Sequence, residues 1–278
     1  MKFNFKLVFL YSLVAVFVIG TMGCSKELRQ MNKFAKKGTI SQKDSAAKFF
    51  FQRKDWDKSA VLMEELIGIM KTTPRGEEMM REMAFARFQL KEYVMASYYY
   101  DQLLRSFPYG KHAEDGLFME SYCFYLNSDP SYLDQSYTTK AMESLQNFLN
   151  TYPKSNRAPE AAKYLTELRE RKATKSFNQA KLYYKISNFK AAVYSLQTFT
   201  QEFPDSKFRE EAEFLVVKSA VRLAEQSVEA KRVNRLKDGI EFYEKFIDRY
   251  PKSFYRKEAE GLYERARSGL EKSEKKLG

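Results

Sequence analysis

The side chains that could do covalent or proton chemistry in this chain are two cysteines, Cys24 and Cys123, one histidine, His112, and a scatter of paired carboxylates. A thiolate would make a nucleophile, an imidazole a general base or metal ligand, and two facing carboxylates an acid–base pair. Each needs partners at set spacings. Zinc takes four Cys, His or carboxylate ligands in close pairs, and two distant cysteines with a single histidine do not form that pattern. His112 follows the turn Phe107-Pro108-Tyr109-Gly110 with no acid or nucleophile paired to it, and reads as a surface or capping residue. The pairs Glu64-Glu65, Glu77-Glu78 and Glu210-Glu211 read as solvated helix faces, the last two in first turns where the helix dipole favours negative charge. There is no Gly-x-Ser-x-Gly, no Walker loop and no His-Glu-x-x-His. The reading assigns no catalytic residue and no metal ligand, and the chain is taken as a non-enzyme.

Cys24 has a context of a different kind. Lys2 and Lys6 make a short positive start, Leu7 to Ile19 is an uncharged apolar run, and Thr21-Met22-Gly23-Cys24 closes it. That run is too short for a stable membrane span and has the layout of a secretory signal peptide, residues 1–23. The segment resembles a bacterial lipoprotein signal, although Thr21 stands where an aliphatic residue is usual. The resemblance implies a cut after Gly23, with a diacylglycerol and an N-acyl chain attached to Cys24. No other cofactor is expected. Lipidation would leave Cys123 without a disulfide partner, and its place in the apolar stretch Glu120 to Leu126 makes it a buried small hydrophobe.

The elements that carry these residues form a repeat. Ala192, Leu196, Phe199 and Phe203-Pro204 have counterparts in Ala96, Tyr100, Leu103 and Phe107-Pro108. The same order returns in Ala141, Leu145, Phe148 and Tyr152-Pro153, and in Gly239, Tyr243, Phe246 and Tyr250-Pro251. A small residue with large ones four and seven places on is one face of a helix. The proline then ends it, because it lacks an N–H and drives its predecessor out of the α region. Ahead of Ala192 stand Ala180, Tyr183 and Phe189. A helix pair with this signature over 34 residues, the spacing of Pro74 and Pro108, resembles the tetratricopeptide repeat.

The expected fold is all-α: about five tetratricopeptide helix pairs and a C-terminal capping helix, stacked as a right-handed superhelix whose concave face is lined by first helices. Residues 24–40 are read as the lipidated N-terminus and a polar, basic tether. N-terminal repeats fill 41–153, and C-terminal repeats with the cap fill 154–278. In the first unit Ala46, Phe49 and Phe50 belong to one helix, and Trp56, Ala60, Met63 and Leu66 to the next. The fourth unit has a lengthened first helix, Pro159 to Ile186. The fifth has a long helix through Arg222 and Glu229. Insertions are expected at Asn127 to Thr139 and Lys231 to Asp238. The formal charge of +12, from 48 basic against 36 acidic residues, reads as a solvated helical surface of mixed charge because the signs alternate along the helices, with attraction to anionic lipid or an acidic partner as the sharper reading, and no nucleic-acid module such as an RRM signature is found.

Signal, tether, degenerate repeats and the turns Tyr152-Pro153-Lys154-Ser155, Phe203-Pro204-Asp205-Ser206 and Tyr250-Pro251-Lys252-Ser253 together resemble the BamD family of outer-membrane-protein assembly lipoproteins. The resemblance implies an outer-membrane location, lipid-anchored on the periplasmic face. It also implies partners: the POTRA domains of BamA, other subunits of the β-barrel assembly (BAM) complex, and unfolded outer membrane proteins. Phe49, Phe50, Tyr98 and Tyr99 are the candidate substrate groove, and Arg222, Arg232 and Arg235 the candidate BamA-facing groups. The alternative is a periplasmic repeat scaffold for cell-envelope or peptidoglycan machinery.

Overall fold

The computed structural model describes residues 26–277, Leu277 in its backbone only. The apolar N-terminal run, the expected cut after Gly23 and the expected acylation of Cys24 lie outside the described residues. The described chain is all-α, of tetratricopeptide type. Its helices are α1 (residues 26–37), α2 (Ile40–Gln52), α3 (Trp56–Met70), α4 (Pro74–Gln89), α5 (Tyr93–Ser106), α6 (Ala113–Leu126) and α7 (Ser136–Thr151), then α8 (Ala158–Lys185), α9 (Phe189–Glu202), α10 (Arg209–Glu225), α11 (Glu229–Arg249) and α12 (Arg256–Leu277). No helix among the described residues is long and apolar enough to cross a membrane. Two compact units result: one reaches Leu165, within α8, without the loop 129–135, and the other holds that loop and everything from Thr166.

The stretch expected as a tether is helical over 26–37. Leu28, Met31, Phe34 and Ala35 recur there at helical spacing and are half-buried. A capping box then opens α2: the Gln42 N–H donates to Thr39 Oγ1 at 3.4 Å and the Thr39 N–H to Gln42 Oε1 at 3.0 Å. From there to α7 each helix packs on the next. In the second unit α9 to α12 do the same, and α10 also meets α12.

The repeat positions do as their spacing predicts. Ala96, Ala141 and Ala192 are fully buried, as are Leu103, Phe148 and Phe199 seven residues on. The second helices α5, α7, α9 and α11 each stop before the aromatic that precedes proline. Phe107, Phe203 and Tyr250 share φ from −125° to −135° with ψ near 63°, outside the helical region. The serine two places after proline then folds the turn back. Its hydroxyl accepts from the N–H two residues on, with Ser155 serving Arg157 at 3.1 Å, Ser206 serving Phe208 at 3.3 Å and Ser253 serving Tyr255 at 3.0 Å.

The residue that each serine holds completes a three-part aromatic contact that the repeat pattern did not reveal. Phe208 stacks on Phe177 at 4.8 Å, Tyr255 on Phe214 at 4.5 Å, and the Arg157 guanidinium lies 4.5 Å from the Phe118 ring. Those first-helix rings meet second-helix rings in turn: Phe118 on Phe148, Phe177 on Phe199, Phe214 on Phe246. Phe118 and Phe214 lie ten residues past their prolines, whereas Phe177 lies twenty-four past Pro153. The difference is about four helical turns, so the lengthened α8 presents the same face again.

Local details differ from the sequence reading. Three turns between first and second helices hinge on left-handed residues, Lys54, Lys91 and Ser187, all at φ 61°. Counted from these, the small residue of the first unit is Ser59, whose hydroxyl donates to Ala47 O at 3.0 Å, and Ala60 is buried beside it. Pro74 does not close α3, which ends at Met70, but is the first residue of α4, where its missing N–H leaves no bond unmade. Tyr183 is exposed; Tyr184, four places after Ala180, packs on the core instead. Nor does one helix run through Arg222 and Glu229. α10 stops at Glu225, and the supposed insertion 231–238 is the front of a long second helix, α11, whose buried stripe starts at Leu236. The loop expected within 127–139 is present, with α7 beginning at Ser136.

Candidate functional site

Helix α6 is apolar nearly all round and so has two faces to place. Phe118, Tyr122 and Tyr125 form one, at i, i+4 and i+7. Tyr122 lies 5.9 Å from Phe88 of α4 and 5.2 Å from Tyr164 of α8, while Tyr125 stacks on Tyr164 at 4.3 Å. Phe88 in turn meets Tyr93 at 5.5 Å. One helical turn earlier on α4, Phe85 packs between Phe51 at 5.9 Å and Trp56 at 5.6 Å. The result is an aromatic rail on the first helices of the N-terminal unit, with Phe51, Phe85, Phe88, Tyr122, Tyr125 and Tyr164 all half-buried.

Half-buried rings offer flat apolar area whose side-chain entropy is already spent. The rail also carries a polar edge: Tyr164 Oη donates to Glu160 Oε1 at 2.6 Å. Burial, then that hydrogen bond to a carboxylate, pushes the Tyr164 phenol well above its ordinary value, so it stays a donor. Such a surface can hold an extended apolar or aromatic segment of another chain without covalent chemistry.

The four residues expected to form the groove are not on this rail. Phe50 is 1% exposed and Tyr99 8%, because both point into the packing between helices. Tyr99 Oη donates to Glu64 Oε1 at 3.0 Å, and Arg87 bridges Glu64 and Glu92 at 2.8 Å each. Burial and the Glu64 contact push the Tyr99 phenol up to about 12. Phe49 is half-buried, edge-on to Phe50, with the Arg53 guanidinium 5.3 Å from its ring. Tyr98 is exposed, its ring against Tyr99 and its hydroxyl accepting from Gln102 at 3.0 Å. A second aromatic stripe on first helices, Phe85 with Phe88 and Phe118 with Tyr122 and Tyr125, was the signal that could have found the rail.

The three arginines are largely engaged, and two of them, Arg232 and Arg235, meet at Ser227. Arg232 donates to Glu229 at 2.8 Å and to the Ser227 carbonyl at 2.9 Å, and Arg235 donates to the Ser227 hydroxyl. Together they clasp the turn between α10 and α11. Arg222 pairs at 3.3 Å with Glu225 and keeps its side chain half-exposed. His112 is held rather than poised: Glu77 accepts from its backbone N–H at 3.0 Å and Glu78 meets Nε2 at 2.9 Å. Cys123 is fully buried, and burial pushes its thiol up to about 12, which suits a packing residue. Among the described residues no three His, Cys, Asp or Glu side chains converge as a metal site.

Comparison with known proteins gives a family and one characterised relative. The model of the family described as "YfiO: Outer membrane lipoprotein" matches residues 39–193 and 176–277. The outer membrane protein assembly factor BamD of Helicobacter pylori (strain ATCC 700392 / 26695) is 25% identical over 154 residues, 54% of this chain and 67% of that protein. Among solved structures, the TPR2AB-domain:pHSP90 complex of yeast Sti1 aligns at 13% identity over 82% of this chain and 98% of that one, with a TM-score of 0.35.

Proposed function

Because the chain belongs to the YfiO family of outer membrane lipoproteins, we propose that it is a non-enzymatic subunit of a β-barrel assembly machine. It holds a BamA-like barrel protein by its POTRA domains and receives unfolded outer membrane proteins for folding and insertion. Acyl chains on Cys24 keep it at the periplasmic face of the outer membrane, each buried methylene contributing about 0.8 kcal/mol and several chains together anchoring it stably. The observation that carries this reading is the extent of the family match, which runs through nearly the whole described array.

The rail of Phe88, Tyr122, Tyr125 and Tyr164 supports the receiving role. An unfolded barrel strand is extended and carries apolar side chains on alternate positions, and stacked half-buried rings are a surface on which it can lie. The scaffolding role falls to surfaces away from the rail, where paired charges on helix faces give orientation more than affinity.

The test is affinity purification of the full chain from detergent-solubilised outer membranes. A POTRA-bearing barrel protein should co-elute in comparable amount. Recovery of peptidoglycan or division proteins with no such barrel would replace this reading with an envelope scaffold.

A further inference from the structure

Opposite its aromatic face, α6 borders a groove of about 500 Å³ shared with α5 and α7, lined by Leu104, Leu117, Glu120, Phe124, Ser144 and Asn147 among others. The same groove recurs in the second unit between α9, α10 and α11, with a volume of about 410 Å³. Counted from the repeat prolines Pro108 and Pro204, Glu120 and Val216 occupy the same place, twelve residues on. Likewise Ser144 and Phe242 both lie nine residues before Pro153 and Pro251. In the second unit this floor is sealed: Val216 is 5% exposed and Phe242 packs on the core. In the first it is polar, with Ser144 donating to Glu120 Oε2 at 3.1 Å and sharing a 2.7 Å hydrogen bond with Ser121.

A carboxylate set at an apolar place in the repeat weakens the packing unless something compensates its charge. The groove's own cations do so only in part: Arg105 acts on Glu120 through space without pairing to it. Arg105 on α5 is paired with Asp101 at 2.8 Å, and Lys140 on α7 sits 5.3 Å over the Tyr137 ring. Glu143 adds a further negative charge at the rim. One hydroxyl donor therefore faces a carboxylate with room for two strong bonds. Above it, Leu104, Leu117 and Phe124 form an apolar wall.

We propose that this groove is a docking site for an arginine side chain of a protein partner, the guanidinium pairing with Glu120 and the aliphatic stem lying on Leu104, Leu117 and Phe124. The chemistry selects an organic cation with an apolar stem, since a metal ion would need several converging ligands and the described residues hold no such set. Burial first, then the nearby Asp101 charge, raises the Glu120 carboxyl to about 7, with Ser144 and Arg105 opposing. A docked guanidinium would pull it down again, so binding strengthens as pH rises through that value.

Thermal unfolding of the detergent-solubilised full chain tests this, with argininamide as probe and citrullinamide as its neutral isostere. At about pH 8 argininamide should raise Tm by a few degrees relative to citrullinamide, and at about pH 5.5 the difference should shrink. Glu120→Gln and Glu120→Val should both abolish it. Glu120→Val, which installs the residue of the second unit, should by itself raise Tm. No selective rise in the parent protein, or an equal rise in either variant, overturns the proposal. If one variant fails to fold, the other still decides.

Discussion

Glu78 accepts hydrogen bonds from Arg81 at 2.6 Å, Lys111 at 3.0 Å and His112 at 2.9 Å, joining α4 to the loop before α6. Burial opposes its charge, but these three donors outweigh burial and hold the carboxyl far below its ordinary 4.5. A depressed carboxylate stabilises the fold above its unfolded value and loses that contribution as pH falls. Urea unfolding between about pH 6 and 3 should therefore show a steeper loss for the parent than for Glu78→Gln. Packing gives a second contrast on one helix. Phe199 is fully buried and Tyr194 is 73% exposed, so Phe199→Ala should destabilise by about 3–5 kcal/mol and Tyr194→Ala by less than about 0.5 kcal/mol. The aromatic runs Phe49 to Phe51 and Tyr98 to Tyr100 drew attention by composition alone. A run sends successive rings round the helix, so Phe50 and Tyr99 went inside. The rail was spread over four helices and became visible only when their faces were aligned.

Where elements meet, the backbone decides. Lys54, Lys91 and Ser187 each close a first helix in the left-handed conformation, with the N–H bonds of a Schellman turn: Lys91 to Phe88 O at 2.9 Å and Glu92 to Arg87 O at 3.0 Å. A side chain there costs about 1 kcal/mol relative to glycine. Lys91→Gly, an exposed site, should accordingly raise stability by up to about 1 kcal/mol in denaturant unfolding. These turns were illegible in sequence because the residue that usually marks them is missing. Gly76 is the converse. A Cβ there would sit 2.4 Å from the Met70 carbonyl oxygen, and Gly76→Ala should lower stability by about 1–3 kcal/mol. The α10–α11 boundary was also hidden. Ser227 and Val228 carry no glycine or proline, and the stop depends on Arg232 and Arg235 reaching back to Ser227 from a turn not yet formed in sequence order.

Across the whole molecule the helical repeat was readable because four copies fix one another's spacing, and a proline ends each where its aromatic neighbour leaves the helix. The insertions were harder, since the same extra residues can make a loop, as between α6 and α7, or lengthen a helix, as in α8 and α11. Anchoring belongs to this scale too. Cys24→Ser should leave far-ultraviolet circular dichroism unchanged yet shift the protein from the membrane to the soluble fraction; unchanged sedimentation with membranes would count against acylation as the anchor. The loop 129–135 has one further consequence. It is held through its main chain: Arg171 donates to Asp129 O at 3.4 Å, and the Gln135 amide faces the carbonyls of Pro130 at 2.9 Å and Asp134 at 3.0 Å. Tyr132 and Leu133 meanwhile project outward. A grip on carbonyls takes no account of which side chains they bear, so this loop, with Gln135 kept because its own amide makes part of the grip, can change its outward residues Tyr132 and Leu133 and keep its shape. It is where the lineage can experiment at little risk, and where a designer could graft a foreign epitope first.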